Sequence, residues 1–474
     1  MSTYNRVVAA DSTASLAPTV RTRLATEMAD PATEVGGSLS GTFAPRLTSA
    51  ASLKQIMAEG TYSGAIQVIG DSTGVGATRW PYRLSQSIAA DHLAYTVIFR
   101  DWDGTAQDYA APVTIQTGTA GPRYLDCVSG SSAAGLDNDA APHLTGTIDV
   151  RVKVAMDDWT PANPFGTTIL VSEGGGTGAW GWSLGVNSGG VPKMFYSTDG
   201  TALSEMAANA VLGFTDGSTN WLRCVFTPND GAGNRVAKFY KSVDGVAWTQ
   251  VGTTITTVGA VTLFDAIAAG SRYQIAEVGT SAFGGYKIYE VDVRDGVAGA
   301  SIVPILPDLW GYYGSGTRML IVGAPTLTVV NGSQSGANIA ILNDATRRKM
   351  LLPNYGQVLT ILSTSHNETR ADGGTFAARY AEWVTDTRTR HPGAGMLAIT
   401  QNPETSAAVY WVEHGRRRLA LMGFGKTLGI DVLDTYRAFI DYGAWDPGLM
   451  GDAVHPNAAG SDLLRDTIKA AIFA

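Results

Sequence analysis

Cysteine is nearly absent from this chain. Its 474 residues include only Cys127 and Cys224. Two cysteines make no disulfide scaffold and fit no metal-ligand spacing, so both are expected to be reduced and partly buried. Long apolar runs are missing too. None approaches the ~18 residues of a membrane span, and the opening MSTYNRVVAADSTASL has no apolar h-region, so no secretory signal is expected there. No basic block occurs, and the formal net charge is −8, which argues against a nucleic-acid partner.

What is abundant is glycine, at 56 residues. That share favours many turns and much β-structure. The length predicts two or three domains with ample apolar content for a core. Ile66–Gly76 reads IQVIGDSTGVG, a short apolar run ending at Gly70 and followed by a helical stretch over Arg79–Ala90. This is the pattern of a buried strand feeding a helix through a glycine-rich turn, at the sheet edge where α/β proteins bind ligands. Asp71 and Ser72 project from that turn. A serine there is a nucleophile only if a base can take its proton.

The far end of the chain supplies one. Gly451–Gly460 reads GDAVHPNAAG, with Asp452 three residues before His455 and Asn457 placed to cap a helix striped by Leu464, Ile468 and Ile472. A carboxylate that orients an imidazole beside a serine is the logic of the serine triad in another chain order. No G-x-S-x-G elbow surrounds Ser72. Two more apolar runs end in polar turns. Thr326–Asn338 reads TLTVVNGSQSGAN, and Val358–Glu368 reads VLTILSTSHNE.

These four stretches, in this order, resemble the SGNH (GDSL-type) hydrolase family. Ser72 in Gly70-Asp71-Ser72 matches its nucleophile block. Gly336 matches the block whose glycine amide serves the oxyanion hole, and Asn367 the asparagine that donates to the same oxyanion. Asp452-x-x-His455-Pro456 matches the closing block of acid and base. The third block departs from the usual Gly-x-Asn-Asp, since Ser365 and Glu368 flank His366-Asn367. The resemblance implies a mostly parallel α/β sheet flanked by helices. It implies a catalytic triad of Ser72, His455 and Asp452, an oxyanion hole from Ser72, Gly336 and Asn367, and no metal or organic cofactor.

More than two hundred residues separate Ser72 from Gly336, so something is inserted. Across roughly 119–307 the pattern becomes short strands with almost no helix. Ile148, Val150, Val152 and Val154 alternate with Asp149, Arg151 and Lys153. Trp221–Thr227 and Tyr286–Arg294 alternate likewise, and Asp244-Gly245 sits between Val236–Ser242 and Ala247–Val251 as a hairpin turn. An all-β jelly-roll sandwich is expected, similar to laminin-G or concanavalin-like domains. Trp180, Trp182 and Trp248 either stack on sugar faces or fill the sandwich core. Asp216-Gly217 and Asn229-Asp230-Gly231 are calcium-binding oxygens or plain turns.

The expected organisation is therefore an arm or attachment segment over 1–58, a first hydrolase part over 59–118, the inserted sandwich over 119–307 and a second hydrolase part over 308–474. Within the arm, Ala17–Met28 has helical spacing. In the hydrolase parts, Ala111–Thr117 pairs with Tyr95–Trp102, and further strands fall at Leu327–Val330, Val358–Leu362, Met396–Thr400 and Ile430–Leu433. Helices fall at Phe376–Arg388, Ser406–Leu421 and Ala458–Ile472. Among the other histidines, His391 before Pro392 is expected to be solvated, and His366 to line the pocket, to support it or to lie at the surface. His92, His143 and His414 have no acid at triad-like spacing. Asp71 is expected to hold its turn.

The opening also looks like those of actinobacteriophage minor tail proteins. With the triad, this implies an O-acyl, chiefly O-acetyl, esterase of a virion tail. It would act outside the cell on an acylated surface polysaccharide or glycolipid, beside other tail proteins and in a chain that can form homo-oligomers. The alternatives are a glycan-binding tail adhesin with a vestigial hydrolase fold, or a bacterial carbohydrate esterase outside any phage.

Overall fold

In the computed structural model, the described residues are 48–473 without 128–135, 139–140, 162–165, 175–177, 279–280, 283–284, 298, 313–319, 343, 368–372, 405–407 and 443–447. The expected helix over Ala17–Met28 lies outside them. The fold is α/β, a parallel sheet flanked by helices, joined to an antiparallel β-sandwich.

The α/β part contains strands β1 (Gly64–Gly70), β2 (Thr96–Asp103), β3 (Asp108–Tyr109), β4 (Val113–Gln116), β5 (Thr326–Asn331), β6 (Gln357–Ser363), β7 (Gly395–Ile399) and β8 (Asp431–Leu433). Their order is β8-β7-β6-β1-β5-β2-β3, with β4 also on β2. From β8 to β2 every pairing is parallel, while β3 and β4 run antiparallel to β2. Central β1 is buried along its whole length, as its apolar run requires. Its side chains alternate between two cores. Ile66 and Val68 join the cluster under α1 (Ala51–Glu59), α2 (Trp80–Asp91), α5 (Thr435–Asp441) and α6 (Ala458–Phe473). Ala65 and Ile69 join the cluster under α3 (Gly373–Arg390) and α4 (Ala408–Leu428). Burying each of the Ile and Val side chains contributes about 1.5–3 kcal/mol.

The N-terminal arm and the helix before β8 differ from expectation. Residues 48–58 are not a loose arm, since Ala50 and Leu53 are fully buried and Met57 nearly so. The Ser49 amide donates to Asp431 Oδ2 at 2.7 Å, pinning this segment to β8. Helix α4 runs on past Leu421 through Gly423 and Gly425 to Leu428. Glycine usually stops a helix, but here a Cβ at 425 would run into Val432 Cγ2, so the glycine lets the helix lie close on β8. Gly429 then ends it at φ +65°.

The sandwich consists of a seven-stranded and an eight-stranded antiparallel sheet. Their facing sides share one core containing Val150, Val152, Leu184, Trp182, Phe226, Tyr273 and Val293. Strands Gly311–Tyr312 and Leu320–Val322 belong to these sheets and lie beyond residue 307, where the sequence pattern ends the insertion. Cys127 and Cys224 are free and fully buried in the same core, and burial pushes both thiols up. Trp182 fills this core, Trp180 packs against it, and Trp248 lies outside it, edge-on to Trp221 and over the Arg223 guanidinium. Asp230 makes a turn contact, accepting from the Ala232 amide at 2.8 Å, while Asp216 accepts from the Trp159 amide of a distant loop at 2.8 Å.

The sandwich is docked on the α/β part by charge. Asp149, Arg151 and Lys153 point away from the sandwich core, and β2 and β3 cover that face. Arg100 of β2 donates to Glu290 at 2.9 Å, and Asp108 of β3 accepts from Arg151 at 3.1 Å and Arg294 at 3.0 Å. A water-sized cavity of about 30 Å³ lies among these groups.

His391, just after α3, is buried rather than solvated. Burial, and then the Arg390 charge, pull its imidazole down to about 3, against a bond to the Leu352 carbonyl. The folded protein therefore keeps His391 neutral, while the unfolded chain takes up a proton below about 6.5. This stabilisation is complete above that value and is lost as pH falls towards 3. His391→Leu is expected to lose less melting temperature than wild type between pH 7 and pH 4. Equal losses in the two proteins would show that the imidazole is not held neutral.

Candidate active site

Every residue singled out for chemistry lies at or near the carboxyl edge of the parallel sheet. β1 ends at Gly70, and the chain turns at once into a short 3-10 helix, Ser72–Gly74. Asp71 caps it, accepting from the Thr73 amide at 3.0 Å and the Thr73 hydroxyl at 2.8 Å. The turn is tight enough to need two glycines. A Cβ at Gly70 would come within 2.6 Å of Ser333 Oγ, and one at Gly74 would strike the same hydroxyl. This presses the turn after β1 against the turn after β5. The Gln334 amide also donates to the Gly70 carbonyl at 3.0 Å.

His455 reaches this edge from the loop before α6. Its Nε2 lies 2.8 Å from Ser72 Oγ, and its Nδ1 lies 2.8 Å from Asp452 Oδ2. A carboxylate only accepts, so Nδ1 carries the proton and Nε2 accepts from the serine. The loop is built to hold this pair. Asp452 Oδ1 accepts from the amides of Val454 at 2.8 Å and His455 at 2.7 Å. Burial pushes the Asp452 carboxyl up, but these two amides and the imidazole outweigh it and hold it at about 2. Asp452 therefore stays ionised at neutral pH. Asn457 Oδ1 accepts from the Gly460 amide at 3.0 Å and starts α6.

Gly336 and Asn367 are brought to the same edge. Gly336 sits at φ +69°, a conformation that favours glycine. Asn367 Nδ2 donates to the Ala337 carbonyl at 2.9 Å, joining the turn after β6 to the Gly336 turn and leaving its second amide hydrogen for another acceptor. Among the described residues, the Ser72 and Gly336 amides donate to no protein acceptor.

Four supporting residues escape sequence reasoning. Asn331 ends β5 and donates to the Gly74 carbonyl at 2.9 Å and to Asp101 at 2.7 Å. Ser333 fills the space that the two glycines leave. Asn402 donates to the Val454 carbonyl at 2.8 Å, fixing the histidine loop. Gln401, one residue earlier, reaches Asp71. Each is a polar residue just after an apolar strand, which is the signal that could have marked them. His366 and His414 are buried side by side with ring centroids 4.5 Å apart and ring planes tilted by 53°, and burial pulls His414 down.

Among the described residues, His143, Glu173 and Asp265 in the sandwich could hold a metal, with ligand atoms within 4.8 Å of one another. Glu173 is already occupied. It pairs with His143 at 2.6 Å and accepts from Trp182 Nε1 at 2.9 Å and the Tyr273 hydroxyl at 3.1 Å.

The fold and site thus define an α/β protein with a serine, a histidine and an aspartate in a continuous hydrogen-bonded line at the sheet's carboxyl edge. No protein-family model and no curated protein matches the chain. Similar solved structures include a catalytic mutant of an acetylxylan esterase from Geobacillus stearothermophilus, 16% identical over 31% of this chain and 73% of that one, with a TM-score of 0.27. An α/β hydrolase from the metagenome of Lake Arreo is 18% identical over 31% of this chain and 72% of its own, with a TM-score of 0.27. A structure described as a peptidoglycan O-acetylesterase in action is 13% identical over 90% of this chain and 96% of that one, with a TM-score of 0.33. Likeness at this level carries no weight for the chemistry, which stands on the distances above.

Proposed function

We propose that this chain is an SGNH-type serine ester hydrolase that removes O-acyl groups, chiefly O-acetyl, from a bacterial surface glycan. The carrying observation is the 2.8 Å contact between Ser72 Oγ and His455 Nε2, with Asp452 at 2.8 Å on the other ring nitrogen. In this reading Ser72 Oγ attacks the ester carbonyl carbon while Nε2 takes its proton. Asp452 remains ionised and stabilises the imidazolium. The amides of Ser72 and Gly336 and the spare Asn367 amide hydrogen receive the oxyanion. As the ester C–O bond breaks, Nε2 gives that proton to the departing sugar oxygen, which leaves as a hydroxyl. A water, deprotonated by the same nitrogen, releases the acid from Ser72.

The setting of this reading is a virion tail, with the sandwich as the part that would present the glycan. The test is acetate release from O-acetylated host cell-wall glycan, together with turnover of a small acyl ester. Wild type should release acetate and Ser72→Ala should not. A folded wild type that turns over neither substrate refutes the esterase and leaves the adhesin. Turnover of the small ester alone refutes the glycan as substrate.

A further inference from the structure

Gln401 follows β7 with φ at +61°, in the left-handed region that L side chains other than asparagine and aspartate seldom enter. It is 1% exposed. Nothing in its sequence surroundings asks for that backbone. A residue held in this conformation at the edge of a site suggests that its side chain is needed where it points.

The side chain spans two of the site's turns. Its Nε2 donates to Asp71 Oδ2 at 2.9 Å, to Thr73 Oγ1 at 3.0 Å and to the Ser363 carbonyl at 3.2 Å. Its Oε1 accepts from the His366 amide at 3.0 Å and the Ser365 hydroxyl at 2.6 Å, and from the Ser365 amide as well. The amide orientation is fixed by its partners. The Asp71 carboxylate and the Ser363 carbonyl can only accept, and the Ser365 and His366 amides can only donate, so a flipped amide would oppose all four. One end therefore holds the turn that carries Ser72. The other holds the turn that presents Asn367.

We infer that Gln401 is a positioning residue that sets the distance between the nucleophile turn and the oxyanion turn. The inference rests on the esterase reading. Gln401 acts through Asp71 and Thr73 on Ser72, and through Ser365 and His366 on Asn367. Nucleophile and oxyanion donor must hold their geometry together while the carbonyl becomes tetrahedral, and a misplacement of about 1 Å costs on the order of 10² in rate.

The informative variant is Gln401→Asn. Asparagine accepts the left-handed backbone and keeps the amide, but it is one methylene too short to bridge both turns. With a small acyl ester, kcat should fall about 10- to 100-fold while KM stays within about 3-fold, since the turns move and the binding surface does not. Asn367→Ala alone should cost about 10²–10³ in kcat. The double variant should be no worse than about 3-fold below Asn367→Ala, because losses through one unit do not multiply. Gln401→Glu gives a second measurement. It keeps the length and the acceptor side but sets a carboxylate against Asp71, and it should lose kcat at least as far as Gln401→Asn. A folded Gln401→Asn or Gln401→Glu with wild-type kcat overturns the inference, and so do losses that multiply with Asn367→Ala. An inactive wild type overturns the esterase reading and this inference together. An active wild type with unaffected Gln401 variants overturns this inference alone.

Discussion

Ser72→Ala and His455→Ala are each expected to lower esterase kcat by on the order of 10⁴ to 10⁶, and the double variant to be hardly lower than either. The reason is the geometry of the proton's path. With Nε2 at 2.8 Å from Ser72 Oγ, the hydroxyl proton moves across an existing hydrogen bond as Oγ attacks. Without the imidazole the hydroxyl must give its proton to water, and without the hydroxyl the imidazole has only water to activate, so either loss disables the same step. Asp452→Asn is expected to cost up to about 10⁴, because an amide can turn its NH₂ towards Nδ1 and favour the wrong tautomer. The variants should melt within a few degrees of wild type. Ser72 and His455 are half-buried, Asp452 is exposed, and none belongs to the apolar cores. Equal small-ester turnover by wild type and a folded Ser72→Ala would refute the serine mechanism outright.

The parts of this site legible in the sequence are those whose partners are local or whose pattern is periodic. Asp452 and His455 lie three residues apart, so their pairing shows in the string itself. Ser72 is marked by the apolar run before it and the glycines on either side. Gln401 and Asp71 are 330 residues apart, and Gln67 and the Val330 carbonyl 263 apart, so no local pattern connects them. Gln67 is a polar residue in the middle of a fully buried strand, where its Nε2 donates to the Tyr109 hydroxyl at 3.2 Å and to that carbonyl at 3.1 Å, while its Oε1 accepts from no partner among the described residues. Alternation is a one-way guide in the same sense. It tells that Asp149, Arg151 and Lys153 leave the sandwich core, but not that another part of the chain covers them. His391 misleads for the matching reason, since a histidine before proline reads as a loop residue and only the packing around it decides its exposure.

That covered polar face carries a large expected stability effect. Asp149 is fully buried and bonded by two guanidinium groups, with Arg223 Nε at 2.7 Å and Nη2 at 2.8 Å, and Arg151 Nη2 at 2.8 Å. Burial pushes its carboxyl up, but the charges of Arg151 and Arg223 outweigh this and hold it below the usual carboxylate value. Arg223 lies over the rings of Tyr240 and Trp248, its carbon about 5.3 Å from each centroid, and Arg151 continues to Asp108 of β3 in the α/β part. Asp149→Ala therefore leaves two buried arginines short of their shared anion. Removing one partner of a buried ion pair costs about 3–5 kcal/mol, whereas an exposed pair is worth at most about 1 kcal/mol. Asp149→Asn should lose less, because its carbonyl oxygen still accepts from one guanidinium. Calorimetric melting of the full chain separates the two cases. The loss should persist in 1 M salt, where the screening length is only about 3 Å and exposed pairs vanish. Melting of Asp149→Ala within about a degree of wild type would show that water reaches this face and that the sandwich is not docked through it.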